Sequence, residues 1–184
     1  AQGKVAPEIA QDLAGLVLAT DQPTTDRLNA LWALHLIGGL EPERLNLLLD
    51  DSSEYLRSWA IQLGCETSES TAAISAKLIQ MAEKDPSLMV RRYLASAASR
   101  LDDPTAWAIL EKLAGRDDQL VDRELPSLIW FALAQRMPGQ LERSLEVAQQ
   151  TAMPVLRDQI YWYAAKLSPE GRQAVVQQMN QVST

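Results

Sequence analysis

Cysteine is almost missing from this chain: Cys65 stands alone in 184 residues, so no disulfide can close within it. Histidine is as scarce, with His35 the single copy. One His and one distant Cys lack the ligand spacing of a zinc site. A nucleophile–His–acid triad would have to be built on His35 alone. Cys65 has Glu66 beside it, not the electropositive surroundings that activate a thiolate. No apolar run approaches the ~20 residues that span a bilayer, and the start, "AQGKVAPEIA", lacks the apolar core of a signal peptide. It opens abruptly inside a helical pattern, as a trimmed end would.

Basic charge is also in short supply. Seventeen Lys and Arg against 24 Asp and Glu give a net charge of -7 and a pI near 4.8. Nucleic-acid affinity comes mostly from cations on phosphates, so nucleic acid is not an expected partner. Anionic membrane surfaces are disfavoured for the same reason. Eight Gly and nine Pro leave no room for a linker-rich chain. Val, Ile and Thr are sparse beside Ala, Leu and Gln, which favours helix over strand. Aromatics are skewed, with five Trp and four Tyr but one Phe.

What is present is a repeat. An Asp followed six residues on by Arg, with a small or apolar residue three further, occurs at Asp21/Arg27/Ala30, Asp51/Arg57/Ala60, Asp85/Arg91/Leu94 and Asp117/Arg123/Pro126. A fifth copy has Thr151 in the Asp place, then Arg157 and Ile160. Successive Arg positions lie 30, 34, 32 and 34 residues apart. A period of this size signals stacked helical hairpins. Each unit reads as helix A, a tight turn, then helix B. The turn Asp is placed to cap helix B, and the Arg to reach the Asp of its own repeat or the next, as a ladder.

The B helices fall near 24–38, 53–64, 86–101, 120–136 and 154–167. Their burial follows the helical period, as in Val90, Leu94, Ala97 and Leu101. The A helices are Pro7–Ala19, Pro42–Leu49, Thr71–Lys84, Thr105–Ala114 and Gln140–Gln150. A last helix, Pro169–Val182, is Gln-rich and suits a terminal cap. The expected fold is all-α, an α/α superhelix of about five hairpins plus a terminal helix, forming one domain over residues 1–184.

Candidate chemistry is thin. The paired acids Asp50-Asp51, Asp102-Asp103 and Asp117-Asp118 lie in turns, where caps and solvated charges explain them. A glycosidase needs two carboxylates across one cleft instead. Gly38-Gly39 is a helix stop without the Lys-Ser/Thr of a phosphate loop. Positions on the B helices that face inward in such an array hold Leu28 and Trp32, Ser58 and Gln62, Arg92 and Ser96, Glu124 and Leu128, Asp158 and Trp162. Trp32, Gln62, Arg92, Ser96, Leu128 and Trp162 are therefore the candidate interaction face, since aromatic and Arg anchors are what binding hot spots use. "IYWYAAKL" (160–167) places three aromatics in a row, so at least one must point away from the core.

Period, turn and interior Arg together resemble the HEAT-repeat family. "DRLNALWALHLIGGL" (26–40), "SEYLRSWAIQLGCE" (53–66), "DPSLMVRRYLASAASRL" (85–101) and "ELPSLIWFALA" (124–134) are similar to the helical-repeat segment of large exported bacterial proteins classed as membrane-bound dehydrogenases. In those proteins a β-propeller precedes the repeats and a c-type haem-binding domain follows. The resemblance implies a middle piece of a larger redox protein, exported or periplasmic, with protein or neighbouring domains as partners. With one Cys there is no Cys-x-x-Cys-His haem signature, so no cofactor and no catalysis are expected on this domain. A stand-alone adaptor, or an enzyme on the same fold such as a bilin lyase, are the alternatives. A DNA glycosylase would need a basic surface.

Overall fold

The computed structural model describes residues 7–117 and 122–182. Among these the chain forms eleven α-helices and no strand, so the fold is all-α and of the α/α superhelix class. The helices are α1 (Pro7–Leu18), α2 (Thr24–Leu36), α3 (Pro42–Leu48), α4 (Glu54–Gly64), α5 (Ser68–Lys84), α6 (Leu88–Ala97), α7 (Asp103–Ala114), α8 (Leu125–Ala134), α9 (Leu141–Gln150), α10 (Pro154–Leu167) and α11 (Pro169–Val182). Odd numbers up to α9 are A helices and even numbers are B helices. The fourth B helix, expected over 120–136, begins only at Leu125; residues 120 and 121 lie outside the described residues.

Packing divides the chain into two compact units, Ala1–Leu78 and Ile79–Thr184. In the first, α1 packs on α2, and α2 and α3 both pack on α4. Its core is aliphatic, with Leu31, Leu34, Leu45, Leu48, Leu56, Ile61, Ile74 and Leu78 fully buried. In the second, the B helices lie side by side, α6 on α8 and α8 on α10. Helix α7 backs α6 and α8, α9 backs α10, and α11 closes on α10. Leu94, Ile109, Leu110, Leu113, Ile129, Leu133, Leu156 and Ile160 are fully buried there, around Trp107. Each such aliphatic side chain contributes roughly 1.5–3 kcal/mol of transfer free energy.

The turns follow from the residues in them. Asp51 Oδ1 accepts from the Ser53 amide at 2.8 Å, and Asp85 Oδ1 from the Ser87 amide at 2.9 Å. Both carboxylates thus hold the entry to a B helix. Thr151 does the same with its hydroxyl, accepting from the Met153 amide at 3.2 Å and donating to Ala114 O at 2.8 Å. In the fourth repeat the residue in this role is Asp122, not Asp117. Asp122 Oδ1 accepts from the amides of Glu124 (2.9 Å) and Leu125 (2.7 Å). Asp117 is exposed well before the helix. Asp21 is exposed too, and α2 has Pro23 at its N-cap with no side-chain cap.

At α10 and α11 the chain comes unusually close. A Cβ on Gly171 would lie 2.1 Å from Ala164 O, so only Gly fits. Gly38 has φ of 73°, the left-handed stop that ends α2.

Candidate interaction surface

The repeat arginines perform a structural task that the turns make visible. Buried Arg91 donates through Nε to Asp85 O at 3.0 Å and through Nη2 to Pro86 O at 3.2 Å. Arg57 likewise donates through Nη1 to Asp51 O at 2.8 Å and Ser52 O at 3.1 Å. Arg27 donates to Val17 O at 2.9 Å and forms a bidentate pair with Asp51 of the next repeat, its Nη1 lying 3.3 Å from Asp51 Oδ1. One rung of the expected ladder is therefore Arg27–Asp51.

A second tie is carried by Arg92, which the sequence placed on the interaction face. Its Nε and Nη2 both donate to Asp122 Oδ2, at 3.0 and 2.7 Å, and its Nη1 lies 2.9 Å from Glu124 Oε2. Burial raises the Asp122 carboxyl, yet the Arg92 guanidinium and the amides of Leu125 and Glu124 outweigh it and hold the group below the usual value. Two assigned arginines do not join such a ladder. Arg123 is exposed in the turn before α8, because the helix starts two residues after it. Arg157 is half-exposed and lies 3.5 Å from its neighbour Asp158, since Thr151 offers no charge in the turn.

The six face residues divide as follows. In the first unit, Trp32 packs edge-to-face on Trp59 at 5.0 Å, and Gln62 is half-buried on α4. In the second, Ser96 is exposed on α6 and Leu128 half-buried on α8. Trp162 is 61% exposed at the middle of the solvent face of α10, with Lys166 Nζ 5.0 Å from its ring centroid. Tyr163 stacks on Trp162 at 6.4 Å and meets Trp130 of α8 edge-to-face at 5.5 Å.

One residue went unrecognised in the sequence. Phe131, the sole phenylalanine, is 64% exposed at the centre of the solvent face of α8. The helical spacing that leads from Glu124 to Leu128 continues to Phe131, so the signal existed one turn further along. Glu124 itself ends up in the cap, not on the face.

Elsewhere the geometry is that of surface charge. His35 Nε2 lies 3.0 Å from Glu66 Oε2 at an exposed site. A shallow depression of about 410 Å³ borders the start of α9, and its lining Arg143 is already held by Glu111 and lies 4.7 Å over the Trp107 ring. Among the described residues no group of three or more His, Cys, Asp or Glu is placed to hold a metal ion, and no helix is long and apolar enough to cross a membrane. Burial pushes the Tyr161 phenol above its ordinary value.

Neither the curated proteins nor the solved structures yield a match to this chain. Residues 41–125 match the family of HEAT repeats, a stretch that runs from the turn before α3 to the first residue of α8. Over that stretch, turn aspartates grip the B helices and arginines grip the turns, an arrangement in keeping with the match to HEAT repeats.

Proposed function

We infer that this chain is a protein-interaction scaffold that uses the exposed side of its B helices, without itself catalysing a reaction. HEAT repeats commonly serve such a role, and the match over residues 41–125 supports it. The observation that carries the reading is the exposure of Phe131 and Trp162 at the centres of two adjacent B helices. Large rings in water are unfavourable unless something covers them, and aromatic anchors dominate binding hot spots.

The finer reading makes the chain the helical-repeat part of a larger redox protein, organising the domains that carry oxidation and electron transfer. Its support is the likeness of the phrases between residues 26 and 134 to the repeat segment of the dehydrogenase-like proteins.

A photoreactive benzoylphenylalanine at position 131 or 162, expressed in the source cell, tests the scaffold reading. Cross-links to polypeptide from these positions, and not from position 142 on α9, are expected. Equal yields from both sides of the repeat, or none from 131 and 162, would overturn it. The native product's mass and visible spectrum test the finer reading. A mass far above 20.4 kDa with a haem Soret band is expected, and a colourless product of about the chain's own mass contradicts it.

A further inference from the structure

We propose that the B-helix surface of the second unit binds an acidic polypeptide segment bearing apolar anchor residues. The inference rests on the scaffold reading and adds the partner's chemistry. Helices α6, α8 and α10 lie side by side, so their outward faces form one surface. Phe131 and Trp162 stand at the centres of two of those faces, and Val155 is 56% exposed on α10. These supply the apolar component.

Charge supplies the second component. On this layer Arg92, Arg100, Arg123, Arg157 and Lys166 reach the surface, against the carboxylates Asp122, Glu124 and Asp158. The five cations thus exceed three acids, on a chain whose net charge is -7. The other layer of the same unit has the opposite balance. Helices α7, α9 and α11 themselves carry five acids, Asp103, Glu111, Glu142, Glu146 and Glu170, against three bases, Lys112, Arg143 and Arg172. The excess of cations over acids therefore lies on the aromatic side. A partner with Asp and Glu around Leu, Phe or Trp would meet cations and rings together, and be steered there by charge.

Single-stranded nucleic acid also uses cations and stacking rings. The overall negative charge opposes a long polyanion, whereas a short acidic peptide interacts only within about one Debye length, ~8–10 Å. The observations favour the peptide.

The test selects a displayed library of random dodecapeptides on the full chain, in low salt, and measures selected peptides by fluorescence anisotropy. Enrichment of Asp and Glu together with Leu, Phe or Trp is expected. Affinity should weaken at least about tenfold in the Phe131→Ser/Trp162→Ser variant and fall with added salt. Lys166→Glu should weaken it several-fold, while Glu142→Lys on α9 should leave it unchanged. Unaltered circular dichroism shows that each variant is folded. Neutral or basic selected peptides, undiminished binding to the double variant, or displacement by an equimolar dT12 oligonucleotide would each overturn the proposal. Cross-linking from positions 131 and 162 to a partner protein in the source cell, combined with a non-acidic selection, would refute this partner chemistry alone and leave the scaffold role standing.

Discussion

Removing the Asp51 carboxylate should be among the most damaging single changes in the first unit. Its side chain is 6% exposed and that of its partner Arg27 is 3% exposed. Asp51→Ala takes away the bidentate pair and the contact to the Ser53 amide, and leaves a buried guanidinium with only Val17 O still in place. Breaking a buried pair from one side costs about 3–5 kcal/mol, mostly through the charge left behind. For a chain of this size about 1 kcal/mol shifts Tm by roughly 2–4 °C, so a fall of about 6–20 °C is expected. Arg27→Met/Asp51→Leu should recover part of that loss, because no uncompensated charge remains. Urea titrations of wild type, Arg27→Met, Asp51→Leu and the double variant, followed by circular dichroism, give the coupling energy. Two compact units need not unfold together, so a loss confined to one of two transitions also fits. A cost below about 1 kcal/mol for Asp51→Ala, or strict additivity in the cycle, would refute the view that this rung holds the repeats.

Three further outcomes follow from the second unit. Gly171→Ala should separate α11 from α10, at about 1–3 kcal/mol for overpacking, and hydrogen exchange should show faster amides in both helices; unchanged protection contradicts the close approach at Ala164 O. The lowered carboxyl of Asp122 stabilises the fold above its unfolded value, near 3.8, and that contribution is lost as pH falls through the folded value. Tm should thus drop below about pH 4, and less steeply in Asp122→Asn, which is already destabilised at neutral pH; parallel curves would contradict the pairing with Arg92. The Phe131→Ser and Trp162→Ser changes touch no core, so each should alter stability by less than about 0.5 kcal/mol in urea unfolding; a larger loss would mean the rings pack inward.

Much of the fold was legible because helix signals are local. Pro42, Pro154 and Pro169 sit at first helical positions, where a missing amide costs nothing, and the observed ends match those expected within a few residues. The fourth repeat was harder. Asp117 and Arg123 satisfy the spacing, but Asp122 is the carboxylate that meets the α8 amides. Spacing alone cannot tell which of two aspartates folds back on a helix start. The arginine contacts were half legible: attraction to Asp was expected, whereas the grip of Arg57 and Arg91 on turn carbonyls depends on where the backbone turns. The exposure of Trp162 was legible from its helical position, whereas that of Phe131 was not, because the series stopped one turn short.

Oxidative footprinting of the native assembly, purified without cross-linking, tests the central claim most directly. Hydroxyl-radical modification of Trp162 and Phe131 is compared between that assembly and the isolated chain, with Val176 on α11, 57% exposed, as the internal reference. If the B-helix surface is where partners dock, both rings are protected several-fold in the assembly while Val176 reacts as before. Equal modification of the rings in the two samples would contradict it.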